Sequence, residues 1–217
     1  TVALARAVDP SAPPAQIYAR AQAAHRRVQG TGSGADVAAS AFGGAFRYRW
    51  LDGAAAPLPA GDGAGELTPL GGGPQAVWAA WAGEAASTPA LVGRVKAWGA
   101  TDPAGLRARY AALSAAAEQG CAAWQAADRA GLVTAAQAGY AAIDALAQAS
   151  GAPLVIDAHR ALAALAAQYG GACKPTGAGG GDLAWLVGPD AQAEADLAAA
   201  ARVAGFRTYR FEVAPRA

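Results

Sequence analysis

An α+β fold in two parts is the class this sequence predicts, and three observations carry it. The last quarter of the chain alternates strand and helix patterns: Gly171-Ala-Cys-Lys174 and Leu183–Val187 read as strands, Pro189–Ala204 as a helix, and Arg207–Val213 as a strand of alternating polarity. Two strands joined by a glycine loop, then a crossover helix and another strand, combine with an earlier strand at Gln75–Trp81 and its helices into a ferredoxin-like α/β sandwich. Upstream, Phe46-Arg-Tyr-Arg-Trp50 alternates aromatic and basic residues among helical patterns, the mark of a separate N-terminal α+β domain. The Gly71-Gly-Gly-Pro74 run sets the expected boundary, giving domains 1–73 and 74–217.

Taken in order, Thr1–Val8 reads as the later part of a helix that Asp9-Pro10 and Pro13-Pro14 end, since proline disfavours helical geometry in the residue before it. Ala15–Val28 places Ile17, Ala21, Ala24 and Val28 at helical spacing, with His25 near its C-terminal end. Ser33-Gly-Ala-Asp36 fits a capping box that starts the short helix Val37-Ala-Ala-Ser-Ala. In the Phe46–Trp50 strand, Arg47 and Arg49 share one face, and Glu66–Leu70 is a further short strand. Ser87 or Thr88 followed by Pro89 predicts a helix start with proline in the first helical position and the helix ending near Gly99. Asp102-Pro103 starts a long helix whose stripe is Leu106, Tyr110, Leu113, Ala117, Cys121 and Trp124. Gly131-Leu132 is expected to break it, with Thr134–Ala149 following as a second helix. Asp157–Tyr169 is a third, with Leu162, Leu165 and Ala166 inward and His159 at the surface or in packing.

Composition narrows the function classes. Hydrophobic residues make up 54% of the 217, but alanine carries much of that share and aromatics are only 7%. The core should therefore be close helix packing around a few anchors, among them Trp78, Trp81, Trp98, Trp124 and Trp185. A net charge of +1, from 17 basic and 16 acidic residues, provides no field for nucleic acid or an acidic membrane. Cys121 and Cys173 are far apart with no metal-ligand spacing, so free thiols are expected. With no long apolar run and no charged-then-apolar leader, the expectation is a soluble, cytoplasmic protein. The chain has no Met and opens in mid-pattern, so its native N-terminus is expected to lie upstream.

Chemistry concentrates in two glycine-rich stretches. In Gln29-Gly-Thr-Gly-Ser-Gly-Ala-Asp36, glycines admit a ligand to the main chain, and the helix start that follows can receive an anion beside the Asp36 carboxylate. Lys174-Pro-Thr-Gly-Ala-Gly-Gly-Gly-Asp182 is the second. Lys174 is left between a phosphate contact and an ion pair with Asp182. Ser87 and Thr88 are left between simple capping and a ligand contact.

Gly32-Ser-Gly-Ala-Asp-Val-Ala-Ala-Ser40, Glu84-Ala-Ala-Ser-Thr-Pro89 and Lys174–Asp182 together resemble the GHMP-type small-molecule kinases, and within that group most resemble the phosphomevalonate kinases. The resemblance implies a GHMP kinase-like fold and ATP-dependent phosphorylation of 5-phosphomevalonate to the diphosphate on the mevalonate route to isoprenoids. It implies ATP and Mg2+ as cofactors, with the metal ligands open. It implies Asp36 as the catalytic aspartate, Gly32, Ser33 and Gly34 at the acceptor, and Ser87 and Thr88 as substrate contacts. It also implies Thr176, Gly177, Ala178, Gly179 and Gly180 as the loop beside the transferred phosphate, with Lys174 as the candidate phosphate contact next to it. The family's Pro-x-x-x-Gly-Leu-Gly-Ser-Ser-Ala loop and its first-motif lysine are missing from these 217 residues. His25 stands eleven residues before Asp36, where the mevalonate kinase branch has a magnesium-binding glutamate. The alternatives are a kinase for mevalonate or another small alcohol, a diphosphomevalonate decarboxylase, and a non-catalytic ligand-binding relative.

Overall fold

A computed structural model describes residues 1–29, 33–51 and 64–215. The chain forms two compact units, Thr1–Gly71 with Val213–Ala217, and Gly72–Glu212.

The first unit holds three helices, α1 (Val2–Val8), α2 (Pro14–Gln29) and α3 (Ala35–Phe42), and an antiparallel pair of strands, β1 (Ala45–Leu51) and β2 (Ala64–Leu70). Ile17, Tyr18 and Ala21 from α2 and Val37, Ala38, Ala41 and Phe42 from α3 form its core, with Phe46, Tyr48 and Leu67 of the strands packed on it. Strand alternation therefore sends Arg47 and Arg49 to the opposite face. Arg49 lies beside its cross-strand partner Glu66, at 4.0 Å. The helical stripe of α2 stops short of its end, since Val28 is exposed.

The second unit is built on a four-stranded antiparallel sheet, β3 (Ala76–Trp81), β4 (Ala172–Pro175), β5 (Leu183–Val187) and β6 (Arg207–Glu212), in the order β4-β5-β3-β6. With α7 (Asp157–Gln168) before β4 and α8 (Ala191–Val203) before β6, this is the ferredoxin-like arrangement. Three further helices, α4 (Thr88–Thr101), α5 (Pro103–Gln125) and α6 (Arg129–Ser150), are inserted between β3 and α7. Leu162, Ala166, Leu197, Ala198 and Ala201 of α7 and α8 cover one sheet face over Ala80, Cys173, Ala184 and Leu186. Ala123, Leu132, Val133 and Ala136 of α5 and α6 meet Ala172 and Val187 on the other.

Three expectations change here. The tryptophans are not the centre of the core: Trp78, Trp98, Trp124 and Trp185 are half-buried and pack against the edges of clusters made of smaller side chains. In α5, Leu106, Leu113 and Trp124 of the expected stripe are half-buried against neighbouring clusters, but Tyr110 is exposed, and the buried residues are Ala116 and Ala123. The break after α5 comes at Ala126–Asp128 and not at Gly131-Leu132. Ala127 takes a left-handed φ of 53°, and the Asp128 carboxylate caps α6 by accepting from the Gly131 N–H at 2.9 Å.

Candidate functional site

In the first unit, the candidate residues gather at the start of α3. Gly34, not Ser33, is the N-cap, with a φ of 78°, and no side chain caps the helix. The expected capping box is thus not formed: Ser33 Oγ only accepts a long 3.4 Å bond from the Ala35 N–H, and Asp36 is left free of capping work. The reason lies underneath. Any β-carbon at position 34 would collide with the buried amide of Gln22, so glycine is required, and its left-handed backbone sets the helix entry. The Tyr48 hydroxyl donates to the Ser33 carbonyl at 2.6 Å and lies 3.3 Å from the Tyr18 hydroxyl. Burial, then the Tyr18 hydroxyl, push the Tyr48 phenol well above its usual range, so it remains a donor. Asp36 is exposed in the first turn of α3, where a carboxylate suits the helix dipole, and its side chain has no partner among the described residues. Gly32 lies outside the described residues.

In the second unit, the glycine loop links β4 to β5 and is clamped by main-chain bonds. Gly179 N–H donates to Thr176 O (3.2 Å), Gly180 N–H to Leu154 O (2.7 Å) and Asp182 N–H to Glu84 O (2.7 Å). Side chains at 179, 180 or 181 would run into the Leu154 backbone, Leu91 and the Glu84 backbone respectively. Gly177, Gly179, Gly180, Gly181 and Asp182 all have positive φ. Thr176 closes the base, its N–H and Oγ1 both donating to Leu183 O at 3.0 and 2.7 Å. What remains is three N–H groups, of Gly177, Ala178 and Gly181, that make no hydrogen bond among the described residues. These are the donors an anion could use.

The same clamp brings in the Glu84–Pro89 segment. Its Glu84 carbonyl is bonded to the loop, and it runs into the N-terminus of α4. Ser87 is the N-cap but makes no capping bond, and Thr88, not Pro89, is the first helical residue. Both hydroxyls are exposed and unpaired among the described residues, beside a helix N-terminus whose first amides favour anions.

Of the two expected roles of Lys174, the ion pair with Asp182 is not formed among the described residues. The Lys174 ammonium donates to the Pro175 carbonyl at 2.9 Å, and its stem packs over Gly139 of α6. Burial lowers its pKa. His159, expected at the surface or in packing, is fully buried. His25 is half-buried on α2. Among the described residues no three His, Cys, Asp or Glu gather as a metal site, and no helix is long and apolar enough to cross a membrane. Sequence reasoning missed Gln22 and Tyr48, since neither is in a motif and only the fold brings them to Ser33 and Gly34.

No family model matches the sequence, and no curated protein matches it significantly. Solved structures do match. A Lin0012 protein from Listeria innocua superposes with a TM-score of 0.83 at 20% identity, covering 100% of this chain and 64% of that one. The L. major mevalonate kinase, in complex with R-mevalonate, gives 0.74 at 20% identity over 98% of this chain and 64% of that one. Streptococcus pneumoniae phosphomevalonate kinase, in complex with phosphomevalonate and AMPPNP, gives 0.57 at 15% identity over 69% of this chain and 43% of that one. The fold is thus α+β and GHMP kinase-like. The chain spans 64% of the length of the first two structures. Mevalonate kinases match at least as fully as phosphomevalonate kinases, so the likeness does not select between them.

Proposed function

We propose that the chain is part of a GHMP-type kinase that transfers a phosphoryl group from ATP to 5-phosphomevalonate. The observation that carries this is the glycine loop, clamped to the Glu84 carbonyl with three of its amides unused among the described residues, while the segment that clamps it runs on to the exposed hydroxyls of Ser87 and Thr88. Phosphoryl transfer needs positioning and charge stabilisation more than covalent chemistry, and fixed backbone donors supply both.

ATP supplies the transferred group, and the amides of Gly177, Ala178 and Gly181 fit its phosphates. Mg2+ commonly sits on substrate phosphates and one or two carboxylates, so a three-ligand cluster is not required, and Asp36 is the free carboxylate nearest the proposed acceptor residues Ser33 and Gly34. A phosphate monoester is already anionic near neutral pH, its second pKa being about 6, so Asp36 orients the acceptor or the cation rather than removing a proton.

The domain division at 73–74 is kept as part of this reading, as is a cytoplasmic location without nucleic acid or membrane partners. His25 in place of the glutamate favours the phosphomevalonate branch. A second reading, with mevalonate as acceptor, is favoured by the match to the mevalonate kinase structure over 98% of the chain. In that case Asp36 takes a hydroxyl proton as a general base. ADP release by the polypeptide of the complete reading frame, with phosphomevalonate against mevalonate, decides between them. Turnover of neither sinks both. The 217 residues alone should be inactive.

A further inference from the structure

His159 sits in the first turn of α7 with no exposed surface. One ring nitrogen has a plain structural use: Nδ1 accepts from the Ile156 N–H at 3.4 Å, half of a capping box. Because Nδ1 accepts, the proton of the neutral ring is on Nε2. Capping does not explain that second nitrogen. It is buried with no hydrogen-bond partner among the described residues, and it interacts with the backbone of Gly181 in the glycine loop, which the Leu154 carbonyl just before α7 already holds through the Gly180 N–H at 2.7 Å.

The Gly181 carbonyl belongs to the same peptide as the Asp182 N–H, which donates to Glu84 O at 2.7 Å. Unusual backbone flanks that peptide on both sides, with φ of 147° at Gly181 and 54° at Asp182. A non-glycine residue in the left-handed region persists only where its surroundings hold it. Glu84 holds the N–H edge of this peptide, and the buried imidazole of His159 interacts with the Gly181 backbone at the other. The orientation of the peptide in turn fixes where the Gly181 N–H and the preceding free amides point.

We propose that His159 is a positioning residue for the glycine loop, its neutral ring turning Nε2–H onto the Gly181 carbonyl so that the amides of Gly177, Ala178 and Gly181 are held ready for a phosphate group. The functional part rests on the loop being a phosphate site; the conformational part does not.

The test uses the 217-residue chain. Ring nitrogen NMR of the unaltered protein should show the Nε2–H tautomer. In His159→Leu, amide exchange at Gly180 and Asp182 should be about tenfold faster, the size expected for one buried hydrogen bond. Exchange at Leu186, inside the sheet, should be unchanged. Affinity for inorganic pyrophosphate should fall about tenfold, and His159→Gln, which keeps a donor and an acceptor, should restore both readouts. The Nδ1–H tautomer overturns the proposal, as does loop exchange in His159→Leu that stays at the unaltered rate or rises no more than exchange at Leu186. The tautomer is read on the unaltered chain, so it decides the matter even if the Leu variant does not fold. An unaltered chain that binds no pyrophosphate counts against the loop as a phosphate site, whereas unchanged exchange counts against His159.

Discussion

The side-chain amide of Gln22 occupies the space that a β-carbon on Gly34 would need, and neither its nitrogen nor its oxygen has a hydrogen-bond partner among the described residues. Gly34→Ala therefore meets two penalties, a left-handed backbone and a collision, together about 2–4 kcal/mol. Gly151→Ala, at a φ of 66° with open space around it, meets only the first. Urea unfolding of both variants should show Gly34→Ala as the worse by more than 1 kcal/mol or so. Gln22→Leu should stabilise by about 1 kcal/mol, since it removes an unsatisfied buried amide.

Asp36→Asn should leave stability within about 0.5 kcal/mol, because the carboxylate is exposed and unpaired. Turnover by the complete enzyme should fall about a hundredfold or more. Near-normal turnover of the variant would remove Asp36 from the catalytic role.

Much of this was legible in the chain. The element order, the ferredoxin-like strand pattern and the two glycine stretches all follow from local periodicity and turn chemistry, which act over a few residues. What was not legible depends on partners far away in sequence. Ser33 and Asp36 match a capping box, yet Gly34, in a left-handed backbone over the buried Gln22 twelve positions back, takes the N-cap place instead. Lys174 reads as able to pair with Asp182, but the fold lays its stem over Gly139 of α6 and turns its ammonium to the Pro175 carbonyl. His159 gives no hint of burial, since the loop that covers it begins seventeen residues later.

Burial pushes the Cys173 thiol up to about 12, so it carries almost no thiolate at pH 8. Cys121 is half-buried and is the thiol that iodoacetamide should reach. Mass spectrometry of the native protein should find label on Cys121 and essentially none on Cys173, with both labelled in urea. Equal labelling in the native state would contradict the packing of β4.

Arg129 at the start of α6 pairs at 3.2 Å with Glu194, whose side chain is almost fully buried in α8 and also accepts from the Gly188 N–H. Burial raises the Glu194 pKa and Arg129 opposes this. Arg129→Met should cost about 2–3 kcal/mol at neutral pH by leaving a buried carboxylate short of a partner. The loss should shrink as pH falls and the carboxyl takes up a proton. Thermal melts at pH 7 and pH 5 measure both.

Burial also lowers the His159 pKa from 6.5, against smaller upward pulls from Gly181 and Glu84, while Arg160 adds to the lowering. A depressed folded value means its contribution to stability is complete above about pH 6.5 and is lost as pH falls through the folded value. Unfolding of His159→Gln should therefore be less pH-dependent than that of the unaltered chain as pH falls below about 6.5. Parallel profiles would count against a neutral buried ring.

The chain leaves its first compact unit after Gly71 and returns to it at Val213, where the Ala214 carbonyl accepts from the Gly44 N–H at 2.9 Å. The second unit is therefore spliced into the first. During synthesis the second unit can close before the first, because the first must wait for residues made some 140 positions later, the length of the intervening unit. Clipping the chain after Glu212 would spare the sheet that ends there and injure the unit at the opposite end of the sequence.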